Sequence, residues 1–187
     1  MGCEQFYVIT GTSGAGKSTL LNALAVRGFS VIPEVALSIM QEQEACGGTL
    51  LPGLQLQAFM AEVFERSMRA YDLAASLPQP VFFDRAMPEC LGHMQLLGLD
   101  IDPAYFAAAA VRPYANTVFV AEPWSEIYVC DQWRRASFDR AARSFDATVA
   151  PYSQAGYTTR ILPRASVERR VAFVLDVLAT AQGRSTP

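Results

Sequence analysis

Apolar and polar positions along the chain follow two alternating periods. Short runs rich in β-branched and aromatic residues predict strands over residues 5–10, 29–33, 80–84, 117–121 and 157–162. Between them, apolar residues recur at helical spacing and predict helices over residues 18–26, 34–46, 54–77, 87–97, 103–111, 138–154 and 166–181. Strands that alternate with helices are typical of a parallel sheet covered by helices, so we expect an α/β fold. The length of 187 residues fits a single domain over residues 1–187.

The segment that joins the first strand to the first helix, residues 11–18, reads GTSGAGKS and fits the phosphate-binding P-loop pattern G-x-x-x-x-G-K-[ST]. A strand, a Gly-rich loop and a helix in this order turn backbone N–H groups and a helix N-terminus toward a phosphate chain. An ordinary Gly-rich turn would not require Lys-Ser at its end. The expected nucleotide-binding residues are Gly11, Thr12, Ser13, Gly14, Ala15, Gly16, Lys17, Ser18 and Thr19.

Lys17 is the only lysine of the chain, and the other fourteen basic residues are arginines. Its compact ammonium is expected to meet the β- and γ-phosphates, while the Ser18 hydroxyl would ligate Mg²⁺. A standard GTPase reads guanine with an Asn-Lys-x-Asp sequence, which this chain cannot contain because Lys17 lies in the P-loop. The expected cofactors are therefore ATP and Mg²⁺.

Composition excludes several other classes of protein. A net charge of −3 gives no general affinity for nucleic acid. The chain has no run of about 18 apolar residues, so we expect no membrane span. Its four cysteines are widely spaced without a C-x-x-C pair, which is typical of a reduced cytoplasmic protein. Cys90 and His93 are three residues apart, but no second ligand pair accompanies them, so we expect no metal site there.

A second group of chemically active residues follows the third predicted strand. Asp84 stands at the carboxyl end of the apolar run Val81–Phe83, and Arg85 comes next. In open α/β sheets this edge binds ligands, and a carboxylate there can hold Mg²⁺ as in the Walker-B arrangement. Arg85 would bridge to a phosphoryl group or to a substrate. Two plainer interpretations remain: Asp84 caps helix 87–97, or Asp84 and Arg85 form a simple ion pair.

Glu34 occupies the same edge, at the end of the second predicted strand. A carboxylate there is a candidate general base toward a hydroxyl acceptor. An acidic residue in the first turn of helix 34–46 is also favoured by the helix dipole without any catalytic role. Both interpretations stay open at this point.

Arginines concentrate in the segment 124–143, most of which has no clear period. In small P-loop kinases a mobile lid occupies this part of the chain and carries arginines that stabilise phosphoryl transfer. Arg134 and Arg135 lie in the irregular part and are the favoured candidates, ahead of Arg140 and Arg143. The alternative is a solvated helix face, on which Asp139 and Arg143 would form an ordinary i, i+4 pair.

The order of motifs along almost the whole chain is familiar. The P-loop is followed by the blocks GFSVIPEVA (28–36), VFFDR (81–85), EPW (122–124), YVCD (128–131), YSQAGY (152–157) and LPRASVERR (162–170). This arrangement resembles the small AAA-domain family of predicted P-loop ATPases, whose members are similar in organisation to nucleoside and small-molecule kinases. The resemblance implies a three-layer αβα fold with a five-stranded parallel sheet in the order 2-3-1-4-5, and it supports Glu34, Asp84 and Arg85 as site residues. One departure is that Arg134 and Arg135 follow Gln132-Trp133, where Asp followed more closely by Arg is expected.

The expected function is an ATP-dependent phosphotransferase, or kinase, that acts on a small-molecule acceptor. A nucleotide-dependent switch or ATPase that acts on a protein partner is the alternative, and a non-catalytic scaffold is less compatible with the intact set of Lys17, Ser18 and Asp84. A kinase should bury a second pocket beside Glu34 and Arg85, whereas a switch need not. Candidate residues for that pocket are Phe59, Met60, Phe64, Met68 and Tyr71, although an apolar stripe of this kind is more often core.

Overall fold

A five-stranded parallel sheet organises the part of the chain that the computed structural model describes, residues 5–128 and 137–183. The strands are β1 (Phe6–Gly11), β2 (Ser30–Ile32), β3 (Val81–Asp84), β4 (Thr117–Ala121) and β5 (Thr158–Ile161). Their order across the sheet is β2-β3-β1-β4-β5, and all four neighbouring pairs are parallel. The five predicted strands and the predicted strand order are confirmed.

The helices that connect the strands lie close to the positions that the apolar periods predict. They are α1 (Lys17–Val26), α2 (Val35–Cys46), α3 (Leu56–Ala74), α4 (Met87–Leu96), α5 (Pro103–Ala110), α6 (Phe138–Arg143), α7 (Phe145–Gln154) and α8 (Val167–Gly183). The aperiodic stretch after β4 contains a short 3₁₀ turn, Ser125–Ile127. None of the helices in the described ranges has the length and apolar character needed to cross a membrane.

The prediction of one continuous helix over residues 138–154 is wrong, because these residues form two helices, α6 and α7. The break falls at Ser144, whose hydroxyl donates to the Ala141 carbonyl at 2.7 Å. Serine side chains compete with the helical backbone for hydrogen bonds in this way, and they favour helix ends over helix interiors. The apolar residues keep their helical spacing across the break, so the pattern does not predict the interruption of the helix.

Both faces of the sheet are covered by helices, as parallel sheets require. Phe6 and Val8 of β1 point into a core formed with α3, α4 and α7. Tyr7 and Ile9 point the other way, into a core formed with α1 and α8. The result is the expected three-layer αβα arrangement.

The register of the strands determines where the polar residues meet. Ile9 pairs with Asp84 across β1 and β3, and Gly11 pairs with Ala121 across β1 and β4. The P-loop therefore leaves the sheet between β3 and β4, directly beside the end of β3. The connection after β1 leads to β2 on one side of the sheet, and the connection after its neighbour β3 leads to β4 on the other side. Ligands bind at such a point in open α/β folds.

Candidate active site

The loop from Gly11 to Gly16 depends on glycine at its first position. Gly11 has φ of 121°, and a Cβ there would lie 2.1 Å from the backbone oxygen of Ala121 on β4. Thr12 donates its backbone N–H to that same oxygen at 3.1 Å, which ties the loop to β4. Only a residue without a side chain allows the two strands to approach this closely.

Lys17 begins α1 and is buried, with an exposed fraction of 5%. Its Nζ donates to the carbonyl oxygens of Gly11 at 3.2 Å and Thr12 at 3.0 Å, so the ammonium lies under the loop. Burial, aided by repulsion from Arg85, lowers the pKa of Lys17 to about 8 against the attraction of nearby carboxylates. The next two residues, Ser18 and Thr19, are exposed.

Asp84 ends β3 and carries a buried carboxylate. Its Oδ1 has no hydrogen-bond partner within residues 5–128 and 137–183. Burial raises the pKa of Asp84 to about 6, although Lys17 acts in the opposite direction. A buried oxygen without a partner is costly in a folded protein. Such an oxygen, together with the hydroxyl of Ser18, has the hard-ligand chemistry that Mg²⁺ prefers, so these residues fit the expected metal.

Arg85 adopts φ of 69°, the left-handed region that residues other than glycine rarely occupy. Its backbone N–H donates to the Ile9 carbonyl at 3.1 Å, and its guanidinium turns toward two carboxylates. Nε lies 3.1 Å from Glu34 Oε1, and Nη1 pairs with Glu89. Burial would lower the pKa of Arg85, but the charges of Glu34, Glu89 and Asp84 outweigh burial and raise it. Strained backbone of this kind is found mostly at functional sites.

Glu34 precedes α2, and its side chain does not cap that helix. Its ion pair with Arg85 instead directs the carboxylate toward the end of β3. Asp84 likewise does not cap the following helix, because the residue at the N-cap of α4 is Ala86. The structure thus brings Lys17, Glu34, Asp84 and Arg85 to one edge of the sheet.

Glu89 on α4 is a member of this cluster that no sequence motif marks. Its exposed fraction is 2%, and its Oε2 accepts hydrogen bonds from Thr10 at 2.5 Å and Tyr152 at 3.1 Å. With the ion pair to Arg85, this buried carboxylate has partners on β1, on α7 and at the end of β3. The only local signal for it is its spacing of four residues from Arg85.

A cavity of about 240 Å³ opens beside these carboxylates. Glu34, Asp84, Arg85 and Glu89 line it, and so does Ser13 of the P-loop. Of the five residues predicted for a second pocket, Met60 lines the cavity. The others belong to the core: Phe59, Phe64 and Tyr71 are buried, and Met68 packs against them. The apolar period of α3 thus marks mainly the face that packs on the sheet.

A larger cavity of about 550 Å³ lies on the other side of the P-loop, next to Gly14, Gly16 and Thr19. Trp124 and Ile127 line it from the stretch after β4, and Arg170 lines it from α8. The buried Arg170 donates from Nη1 to the Gly16 carbonyl at 3.3 Å. Burial lowers the pKa of Arg170. No local pattern in the sequence marks this residue, which lies far from the P-loop along the chain.

The favoured lid arginines, Arg134 and Arg135, lie outside the described residues. Arg140 and Arg143 are on α6, and both are exposed.

Comparison with known proteins identifies the family. The model of a family described as "AAA domain" matches residues 6–170. The chain belongs to this AAA domain family. A protein called tRNA modification GTPase MnmE, from Beijerinckia indica subsp. indica, is 30% identical over 182 residues. That match covers 88% of this chain and 37% of the MnmE protein, so the chain spans little more than a third of the length of that relative.

Two solved structures share the fold. A deoxyadenosine kinase from M. mycoides, with dCMP and dCDP bound, has a TM-score of 0.65 at 15% identity and covers 94% of this chain and 99% of its own. The NadR protein in complex with NR has a TM-score of 0.71 at 16% identity, covering 97% of this chain and 52% of its own. Together with the family match, they show that this AAA domain has the fold of P-loop kinases.

Proposed function

We propose that this AAA domain protein is a Mg²⁺-dependent phosphotransferase that moves the γ-phosphoryl group of ATP to a hydroxyl of a small-molecule acceptor. The observation that carries the proposal is the pair of cavities on the two sides of one P-loop. The larger cavity touches Gly14, Gly16 and Thr19, and the smaller one touches Ser13 together with Glu34 and Arg85. A phosphotransferase needs such an arrangement, because donor and acceptor must approach the transferred group from opposite sides.

The donor side would be built from the P-loop and the start of α1. Backbone N–H groups between residues 13 and 18 would surround the phosphates, and Lys17 would add a cation whose hydration has already been removed by burial. Ser18 and Asp84 would hold Mg²⁺, which when bound neutralises charge on the phosphate oxygens. The larger cavity, lined by Trp124 and Ile127, would accept the base of the nucleotide.

On the acceptor side, Glu34 would act as the general base. The oxygen of the acceptor hydroxyl would form a bond to the γ-phosphorus while the bond from that phosphorus to the ADP oxygen breaks. The hydroxyl proton would pass to the Glu34 carboxylate. Arg85, 3.1 Å from Glu34, would keep that carboxylate in one orientation.

The alternative is a GTPase or nucleotide-dependent switch that acts on a protein partner, and the 30% identity to a tRNA modification GTPase favours it. Two observations argue against a switch of this kind. The sequence contains no Asn-Lys-x-Asp because its only lysine is in the P-loop. A switch also has no need for a cavity that joins Glu34, Arg85 and the P-loop.

Acceptor-dependent release of ADP from ATP tests the proposal. The purified protein is supplied with Mg²⁺ and pools of small hydroxyl compounds, and phosphorylated product is identified by mass spectrometry. We expect one pool to stimulate ADP release and the Lys17→Ala variant to lose nucleotide binding. The matched control is Arg27→Ala, which removes a cation at the exposed end of α1.

Equal nucleotide affinity of Lys17→Ala and the parent protein would contradict the nucleotide site. Turnover of GTP in preference to ATP, with no stimulation by any acceptor pool, would instead favour the switch.

A further inference from the structure

Charge is distributed unevenly around the smaller cavity, the one that joins Glu34 to the P-loop. Among the described residues that line it, three are carboxylates, Glu34, Asp84 and Glu89, and the one full cation is Arg85. Even with Asp84 assigned to the metal, two acids remain against one base. The residues that line the cavity therefore carry net negative charge, with Lys17 outside the lining and bonded to the carbonyls of Gly11 and Thr12.

The single cation of the lining already faces two carboxylates. Arg85 is paired through Nε with Glu34 at 3.1 Å and through Nη1 with Glu89. Glu89 is held in turn by hydrogen bonds from Thr10 and Tyr152, so it is a fixed part of the structure. A phosphate or carboxylate on the acceptor would have to compete with Glu34 and Glu89 for this guanidinium while lying beside both carboxylates, so an anionic acceptor is disfavoured.

The rest of the lining supplies apolar surface and neutral hydrogen-bonding groups. Met60, Val63 and Phe83 contribute apolar area, and Ser67 and Thr148 contribute hydroxyls. His93 contributes an imidazole, and burial lowers its pKa. The volume of about 240 Å³ is at or below the lower end of the ~300–1,000 Å³ range of ligand pockets, so the acceptor is small.

We propose that the acceptor is a small hydroxyl compound that is uncharged or cationic, such as a nucleoside or a sugar, and that phosphorylated or carboxylated compounds are excluded. This inference rests on the proposed phosphotransfer and specifies its substrate class. The acceptor hydroxyl lies against Glu34, and the pair formed by Arg85 and Glu89 rejects a second anion.

Matched pairs of acceptors test the inference with the natural chain. Ribonucleosides and deoxyribonucleosides are compared with their own 5′-monophosphates, and ethanolamine and glycerol with their phosphates, in the assay of Mg²⁺-dependent ADP release. We expect every acceptor that stimulates release to be the unphosphorylated member of its pair, by about tenfold or more, which corresponds to about 1.4 kcal/mol. Stimulation by the monophosphate over its parent compound would overturn the inference and leave the proposed phosphotransfer intact.

Chemical modification of a cysteine in the cavity wall measures the charge of the cavity without an assay of activity. Cys3, Cys46 and Cys130 are replaced by Ser and Cys90 by Ala, and Ser67→Cys places one thiol on the cavity wall. Its rates of modification by a cationic and an anionic methanethiosulfonate reagent are measured, and their ratio is divided by the same ratio for free 2-mercaptoethanol. Arg134 and Arg135 are kept in every protein, so their influence is included.

We expect the normalised ratio to favour the cationic reagent by about tenfold. A ratio of one, or one in favour of the anionic reagent, would overturn the inference whatever the assay of ADP release shows. A cationic preference without stimulation by any acceptor would support the charge of the cavity and contradict the phosphotransfer itself. If the substituted protein does not fold, the matched pairs with the natural chain decide alone.

Discussion

Arg85 Nε lies 3.1 Å from Glu34 Oε1, and this ion pair joins the carboxyl end of β3 to the residue that precedes α2. Both side chains are about one-fifth exposed, so the pair is shielded from water but open to the cavity beside it. The contact gives Glu34 a fixed orientation and leaves it next to the P-loop. A surface acid in the first turn of a helix would have neither property.

Glu34→Gln is expected to lower the rate of transfer to an acceptor by roughly 10²–10⁴, the usual contribution of a general base. Glutamine keeps the size of the side chain and an oxygen that faces Arg85, but it cannot accept the hydroxyl proton. The affinity for ATP should stay unchanged, because residues 11–18 hold the phosphates. Steady-state kinetics of ADP release with a stimulating acceptor, and equilibrium binding of ATP, measure the two effects.

Glu44→Gln is the control, since Glu44 is an exposed acid on the same helix α2. Transfer at the parent rate by Glu34→Gln would show that Glu34 is only a residue at a helix end. Loss of ATP affinity in that variant would place Glu34 on the donor side instead.

Glu89→Gln is expected to damage the site through Arg85 rather than by direct contact with the transferred group. The substitution removes the charge that pairs with Arg85 and keeps an oxygen for Thr10 and Tyr152. Tyr152→Phe is the matched control, because it removes one hydrogen bond to Glu89 and leaves the carboxylate in place. We expect Glu89→Gln to lower kcat by about tenfold or more and to weaken discrimination against phosphorylated acceptors, since Arg85 is then partly released.

A merely structural role for Glu89 would lower the free energy of unfolding in both variants and leave acceptor discrimination as it is. The ratio of kcat/KM for an acceptor to that for its phosphate is therefore the measurement that separates the two roles.

Asp84→Asn is expected to stabilise the protein near neutral pH. The pKa of Asp84 in the fold, about 6, lies above its ordinary value of 3.8, so the folded protein binds more protons than the unfolded chain in this window. The free energy of unfolding should therefore fall as the pH rises from about 4 to about 6. Roughly two pKa units correspond to an upper bound of about 3 kcal/mol, or about 6–12 °C in Tm for a chain of this size.

Thermal unfolding of the parent protein and Asp84→Asn from pH 4 to pH 8 measures this difference, without nucleotide or Mg²⁺. The two Tm curves should meet at low pH and separate as the pH rises. Asp146→Asn, which removes an exposed acid from α7, should follow the parent curve. A lower Tm for Asp84→Asn above pH 6 would mean that the attraction between Asp84 and Lys17 outweighs the burial of the carboxylate.

The parts of the site that depend on residues adjacent along the chain could be predicted from the local sequence. The P-loop needs only a strand, three glycines and Lys17-Ser18 in order, and Asp84-Arg85 needs only the end of an apolar strand. The alternation of strands and helices was enough for the α/β class, and the family resemblance supplied the strand order. These features are visible in sequence because their causes lie within a few residues.

Contacts between elements that are distant along the chain could not be predicted from the local sequence. Thr10 and Glu89 are 79 residues apart, and Arg170 and Gly16 are 154 apart. Each pair meets only because the sheet order brings its elements together, and a single charged residue on a helix gives no sign of a buried partner. The break at Ser144 was missed for a related reason, because a hydroxyl bond to the backbone leaves the apolar period unchanged.

Gly11→Ala and Gly28→Ala form a matched pair that tests how the P-loop is held to β4. Both glycines have positive φ, 121° and 89°, so an alanine is strained at either position. A Cβ at position 28 meets nothing within 4 Å, and that substitution should cost only the backbone strain of about 1–2 kcal/mol. A Cβ at position 11 would lie 2.1 Å from the backbone oxygen of Ala121, and no change of rotamer can relieve a contact with backbone.

Gly11→Ala must therefore separate β1 from β4 at the point where Thr12 donates to the Ala121 oxygen. We expect it to lower the free energy of unfolding by several kcal/mol, adding about 1–3 kcal/mol of overpacking to the strain, and to abolish ATP binding. Urea denaturation of the two variants and the parent protein, with ATP binding measured on the folded proteins, provides the comparison. Equal destabilisation of the two variants would show that the close approach of Gly11 to β4 contributes nothing beyond its φ angle.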